Sequence, residues 1–201
     1  MRRNFKRPAT DVREAVEPGI RVIFLEGQKV ILRPLEKADL NRSYLSWLND
    51  SEVARYLIST AFPTNMDQLE TFYQRVSASR TDVMLAIVSK ETDRHIGNIK
   101  LGNINWVHRF ADLGIMIGDK GSWGKGLGQE ACRLLVGHAF MRLNLNKVTL
   151  SVYGCHSSAV KAYENVGFRV EGCLKSMLYN AGRYEDQLIM AITKHQYVEK
   201  Q

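Results

Sequence analysis

The residues best suited to chemistry in this chain are Gly124, Gly126 and Gly128, set between the apolar stretch 115–117 and a long amphipathic run that begins at Leu127. Glycine at such positions lets the backbone take positive φ and approach a ligand with no Cβ in the way. A helix starting there aims its unbonded first-turn N–H groups and the positive end of its dipole at the same spot. The chemistry this serves is the gripping of a phosphate. The helix is marked by Leu127, Ala131, Leu134, Leu135, His138 and Ala139, which recur at three- and four-residue spacing and form one apolar face. A glycine turn leading into a core helix also reads as plain scaffolding, so the glycines alone leave both uses open.

A second segment of the same character lies about thirty residues on. HSSAVKAYENVGF, residues 156–168, follows the alternating strand 147–152, in which Val148, Leu150 and Val152 share a face. Ser157 reads as an N-cap, Ala159, Ala162, Tyr163 and Val166 as a helical stripe, and Gly167 as the residue that ends it. Together the glycine turn and this helix resemble the acetyl-CoA-binding core of the GNAT superfamily of N-acetyltransferases. In that superfamily a Q/R-x-x-G-x-G/A turn grips the cofactor pyrophosphate and an A-x-x-x-Y-E-x-x-G-F helix borders its thiol. Here the turn is Trp123-Gly124-Lys125-Gly126-Leu127-Gly128, with Trp123 in place of the usual Gln or Arg. That departure resembles the subgroup that includes the enzymes acetylating ribosomal proteins. The segments VILRPLEKADL (30–40), WLNDSEVARYL (47–57) and ADLGIMIG (111–118) are similar to the same subgroup, so the resemblance spans roughly residues 28–194.

The resemblance implies a reaction: acetyl-CoA as co-substrate, no metal, and a primary amine that attacks the thioester directly in a ternary complex. It also implies roles. Backbone amides of Trp123, Gly124, Lys125, Gly126, Leu127 and Gly128, with the Lys125 side chain, take the pyrophosphate. A backbone N–H from Met116, Ile117 or Gly118 faces the thioester oxygen, which gains negative charge in the transition state. Tyr163 is the implied general acid for the departing thiolate, whose intrinsic pKa is roughly 8.5. Its other reading is a core tyrosine in an apolar stripe, with a hydroxyl that needs a partner if buried.

An amine of lysine-like pKa, about 10.4, must lose a proton before it can attack. Asp112 stands where the subgroup often has an acidic residue and would act directly or through a water. Asp186, in GRYEDQLIM, is a second carboxylate candidate; each reads equally as a strand-end or surface carboxylate. His156 replaces the Asn that relatives usually carry to orient the cofactor, and its ring could still supply one hydrogen bond. Lys161 and Asn165 either reach the cofactor's outer groups or face solvent.

The stretch Trp47-Leu48-Asn49-Asp50 resembles one found in both ribosomal-protein and amino-sugar acetyltransferases. The expected acceptors are therefore a protein N-terminus, a polyamine such as spermidine, or the amino group of a nucleotide-linked sugar. A non-catalytic acyl-CoA-binding or regulatory module, keeping the cleft without a competent base, stands as the alternative.

The elements that must position these groups follow from periodicity. A strand is expected at 29–33, helices at 39–49, 51–57 and 66–79, and strands at 84–89, 95–103 and 111–117. The glycine turn and its helix come next, then the strand and helix of the second segment, then strands at 169–177 and 186–193. This order predicts an α/β (α+β) fold, a mixed sheet with helices on both faces. The resemblance implies a mostly antiparallel central sheet of about seven strands, splayed at the acetyl-CoA site.

With 201 residues and 45% hydrophobic composition the chain is expected to form one domain, 21–201, behind an extension at 1–20. No apolar run approaches the roughly 20 residues that span a bilayer, which argues against a membrane protein. Of the 28 basic residues behind the net charge of +7, Arg2, Arg3, Lys6, Arg7 and Arg13 lie in the extension, offset by Asp11, Glu14 and Glu17. The others are dispersed with no interleaved aromatic motif, so nucleic acid is not the expected partner. Cys132, Cys155 and Cys173 lack the paired spacing of a disulfide framework or zinc site. The basic start MRRNFKRPAT has no apolar stretch of the secretory kind. A reduced, cytoplasmic protein, monomeric or homodimeric, is expected.

Overall fold

A computed structural model of the chain describes residues 22–57 and 62–199, so the expected extension at 1–20 lies outside the described residues. The elements run β1 Leu25–Glu26, β2 Val30–Pro34, α1 Arg42–Asn49, α2 Met66–Ala78, β3 Val83–Ser89, β4 His95–Asn105 and β5 Phe110–Ile117. They continue with α3 Leu127–Met141, β6 Lys147–Tyr153, α4 Ser157–Val166, β7 Arg169–Asn180, β8 Arg183–Thr193 and α5 Lys194–Val198. The strands form one sheet of eight in the order β1-β2-β3-β4-β5-β6-β8-β7. Only β5 and β6 are parallel neighbours; every other pair is antiparallel. The strand beyond the expected seven is β1. At two residues it is too short to show any alternation, and it exists because Leu25 and Glu26 pair with Leu32 and Ile31 of β2.

Two of the expected helices start elsewhere than expected, and a third does not form. α1 starts at Arg42 because the Asn41 side chain caps it, accepting from Ser43 N and Tyr44 N. No helix spans 51–57. Asp50 caps that stretch as Asn41 caps α1, its carboxylate accepting from Glu52 N and Val53 N and its carbonyl from Ala54 N, but the chain runs only through the 3₁₀ turn Ala54–Tyr56 and turns extended at Leu57. α4 opens one residue before the expected cap: the carbonyl of His156 accepts from Ala159 N and Val160 N, which makes Ser157 the first helical residue.

Side chains of β5 alternate between two apolar clusters, as strand geometry requires. Ala111, Leu113, Ile115 and Ile117 face the larger one, beneath α3 and α4, where Leu127, Ala131, Leu135 and Phe140 are buried. Met116 joins the smaller one on the opposite face, with Tyr44 and Trp47 of α1 and Leu69 of α2. By the same parity Asp112 and Gly114 lie on the α1–α2 face. Among the described residues no helix is long and apolar enough to cross a membrane.

The sheet opens beside β5. Phe110, Ala111 and Asp112 pair with Lys147, Val148 and Thr149, and there the pairing stops. β6 continues alongside β8 as far as Tyr153, while the rest of β5 keeps only β4 as its neighbour. The result is a fork with Asp112 and Thr149 at its vertex. The free edge from Leu113 to Ile117 is roughly 16 Å long, at about 3.3 Å per residue.

Candidate active site

At the open end of the fork the chain leaves β5 and enters α3 through the glycine turn. Gly124 and Gly126 have φ of 72° and 77°, left-handed values at which a side chain would be strained. Gly126 is the N-cap of α3 and, having no side chain, leaves that helix uncapped. The first helical bond is Glu130 N to Gly126 O. Among the described residues the N–H groups of Gly124, Lys125, Gly126, Leu127, Gly128 and Gln129 donate to no protein acceptor. Six unspent donors beside the positive end of a fifteen-residue helix fit a diphosphate.

Two tryptophans hold this turn. The N–H of Trp123 closes a 3₁₀ turn onto Lys120 O, which removes that amide from the expected phosphate donors. Its indole Nε1–H donates to the carbonyl of Ile117 at 2.8 Å, tying the turn to the last residue of β5. Trp47 of α1 lies against Gly118: a Cβ on Gly118 would fall 2.0 Å from the indole, so only glycine fits there. The N–H of Gly118 goes to Ile96 O, and by the two-residue alternation of a strand Met116 also turns its backbone to β4, opposite Asn98; of the three residues expected to face a thioester oxygen, Ile117 alone points its N–H at the free edge. A glycine closing an apolar strand was visible in the sequence, but nothing local pointed to Trp47 as its partner.

Beneath Trp47 lies a buried polar group. His95 meets Trp47 edge-on at 5.2 Å, sits 3.6 Å from Asp39 and shares a 3.0 Å hydrogen bond with Asn98. Asp39 is clasped by both terminal nitrogens of Arg33 at 2.6 Å. Burial lowers the His95 pKa and outweighs the pull of Asp39, so the ring is neutral at neutral pH.

Tyr163 projects from α4 into the edge of the larger cluster, half-buried, 6.0 Å from Phe168. Burial raises its pKa, with the nearby Cys132 thiol adding to the shift, so the hydroxyl stays protonated. Among the described residues that hydroxyl has no hydrogen-bond partner, as a donor reserved for a ligand would have none. Cys132 itself is buried in α3, its pKa pushed up to about 12 by burial, and is inert as a nucleophile.

The two carboxylate candidates are separated. Asp112, at the vertex of the fork, accepts from the hydroxyl of Thr149 and from Asn103 Nδ2 at 3.2 Å. Asp186 lies on β8, where Lys175 at 2.8 Å and Ser176 N at 3.0 Å hold its pKa below the ordinary carboxylate value. His156 is the N-cap residue of α4 through its carbonyl alone; its ring makes no cap bond and stacks on Tyr56 at 4.0 Å and 18°, on the far wall of the fork. Burial and the nearby Arg55 lower its pKa. Lys161 is exposed, and Asn165 reaches Gln129 in the first turn of α3 at 3.5 Å. Among the described residues no cluster of three or more His, Cys, Asp or Glu could hold a metal.

Comparison with known proteins agrees with this geometry. A family model described as an acetyltransferase (GNAT) domain matches residues 29–169. The spermidine N(1)-acetyltransferase of Escherichia coli K12 is 33% identical over 171 residues, covering 84% of this chain and 88% of that protein. The uncharacterized N-acetyltransferase p20 of Bacillus licheniformis is 28% identical, over 85% of this chain and 96% of its own. Among solved structures, the spermidine N-acetyltransferase of Vibrio cholerae in complex with CoA and spermine superposes with a TM-score of 0.78 at 28% identity. That match covers 86% of this chain and 99% of the other.

Proposed function

This chain belongs to the GNAT acetyltransferase domain family and is an acetyl-CoA-dependent N-acetyltransferase, and we propose that the amine it acetylates belongs to a polyamine. Two observations support that acceptor. Relatives named for spermidine acetylation match over most of their own length. Beside the glycine turn, the ammonium of Lys120 lies 2.9 Å from Asp50 and 2.7 Å from Glu52. These carboxylates at the end of α1 are already arranged to hold an ammonium, the group a polyamine repeats along its length.

The observation that carries the site assignment is the fork beside the open helix end. In this reading the diphosphate of acetyl-CoA rests on the free amides from Gly124 to Gln129. Its pantetheine arm runs along the free edge of β5 as a substitute strand, with the amide of Ile117 facing the thioester oxygen. The amine enters from the α1–α2 side, and its nitrogen forms the C–N bond as the C–S bond breaks. Its proton leaves to Asp112 by way of a water, since Asp112 shares that face and sits at the vertex. The hydroxyl of Tyr163 supplies the proton that the thiolate sulfur takes up.

The test is an acceptor panel with acetyl-CoA and mass spectrometry of the products. Monoacetylated spermidine or spermine is expected. Products formed only on peptide N-termini or on nucleotide-linked amino sugars would overturn the polyamine assignment.

A further inference from the structure

The loop joining β1 to β2 reaches the glycine turn from the opposite edge of α3. Lys29 donates its Nζ to the carbonyl of Lys125 at 3.2 Å and lies 3.8 Å from where a Cβ on Gly126 would stand. This contact is built, because Glu130, in the first turn of α3, accepts the backbone N–H groups of Gln28 and Lys29 and pins the loop there. The outcome is electrostatically odd. An ammonium is held against the positive end of a helix, beside a second lysine, Lys125, which makes no ion pair among the described residues. Glu130, the acidic residue of that first turn, is spent on backbone amides. Lys29 and Lys125 also line a depression of about 410 Å³ with Lys90 and Glu91, and Lys90 is already paired with Glu26 at 2.7 Å. Two ammonium groups with no ion pair among the described residues, set beside the positive end of a helix, are relieved by an anion bound between them.

We propose that Lys29 is a phosphate-binding residue for acetyl-CoA, supplied from outside the glycine turn and aimed by Glu130. This rests on the reading that places the cofactor's phosphates at the turn. The chemistry fits either the diphosphate or the ribose 3′-phosphate.

Titration calorimetry of the parent, Lys29→Met, Lys29→Arg and Gly126→Val proteins with acetyl-CoA tests it. Losing one charge-assisted contact should raise the Kd of Lys29→Met about tenfold, with Lys29→Arg recovering most of the loss. The affinity of Lys29→Met should also fall less steeply with added salt. If the loss disappears with 3′-dephospho-acetyl-CoA, Lys29 grips the 3′-phosphate; if it persists there and disappears with acetyl-pantetheine, it grips the diphosphate. Either result supports the proposal. Binding by Lys29→Met within about twofold of the parent, while Gly126→Val loses affinity, overturns the role of Lys29 alone. Parent-like binding by both variants overturns the placement of the cofactor at the turn as well. A loss that persists with acetyl-pantetheine assigns Lys29 a structural part only and also overturns the proposal.

Discussion

Helices α1 and α2, on one face of the sheet, each begin with an asparagine whose side chain accepts first-turn N–H groups, and at α2 Asn65 and Gln68 complete a capping box. Helices α3 and α4, on the other face, begin at Gly126 and His156 with no side-chain cap. A cap stabilises a helix by about 1 kcal/mol. Its omission at both helices that border the fork leaves first-turn amides open, and on the proposed placement of acetyl-CoA part of the stability of that face would arrive only on binding. The capped face differs: beneath Trp47, Arg33, Asp39 and His95 pair with one another inside the protein, and the one polar atom left over among the described residues there is the buried Nδ2 of Asn98.

The largest test of this contrast lies on the open side. Tyr163→Phe keeps the ring against Phe168 and removes the proton donor, so kcat should fall 10²- to 10⁴-fold, roughly 3 to 5 kcal/mol of barrier, with acetyl-CoA affinity retained. Steady-state kinetics beside a thermal melt checks it. A variant turning over within about threefold of the parent would sink the general-acid role.

Next is Gly126→Val, which puts a branched side chain at a φ of 77° in the path of a diphosphate. Acetyl-CoA at about 100 times its Kd should stabilise the parent by roughly 2.7 kcal/mol. That shift should vanish in the variant, as read by melting temperature with and without ligand.

The counterpart on the closed side is Asn65→Ala. It should cost about 1 kcal/mol of stability in a denaturant melt, through loss of the α2 cap, and leave the acetyl-CoA shift intact. If Asn65→Ala instead weakened acetyl-CoA binding, the division between the two faces would be wrong.

The smallest effect is a pH slope. His95 is buried neutral, with a folded pKa below its ordinary 6.5. The unfolded chain therefore binds more protons as pH falls through about 6.5, and stability present above that value is lost on acidification. His138 and His156, whose pKa values burial also lowers, contribute in the same direction. Melting temperature measured from pH 7.5 down to 5.5 should fall, and His95→Gln should flatten part of that slope.

The glycine turn, the helix after it and Tyr163 were legible in the sequence because each is a local device. A backbone amide presented by glycine needs only its neighbours, and a stripe at helical spacing needs only one helix. The same locality explains the misses. Trp123 took the place of a family donor in the sequence, yet its own amide and indole are both spent inside the protein, on Lys120 and Ile117. The stretch 51–57 has helical spacing and even a cap in Asp50, but the chain turns extended at Leu57 after a single short turn, and spacing alone does not mark that end.

The sequence by itself determined the family, the cofactor and the helix that follows the glycine turn, since these rest on residue types at short spacing. Only the tertiary structure decided where β5 and β6 part, because the end of pairing at Asp112 and Thr149 depends on two strands 37 residues apart. It also decided that Trp47 closes on Gly118 and that Lys29 meets the turn from 96 residues away. Those contacts are fixed by packing across the sheet, and one strand or one helix carries no local trace of them.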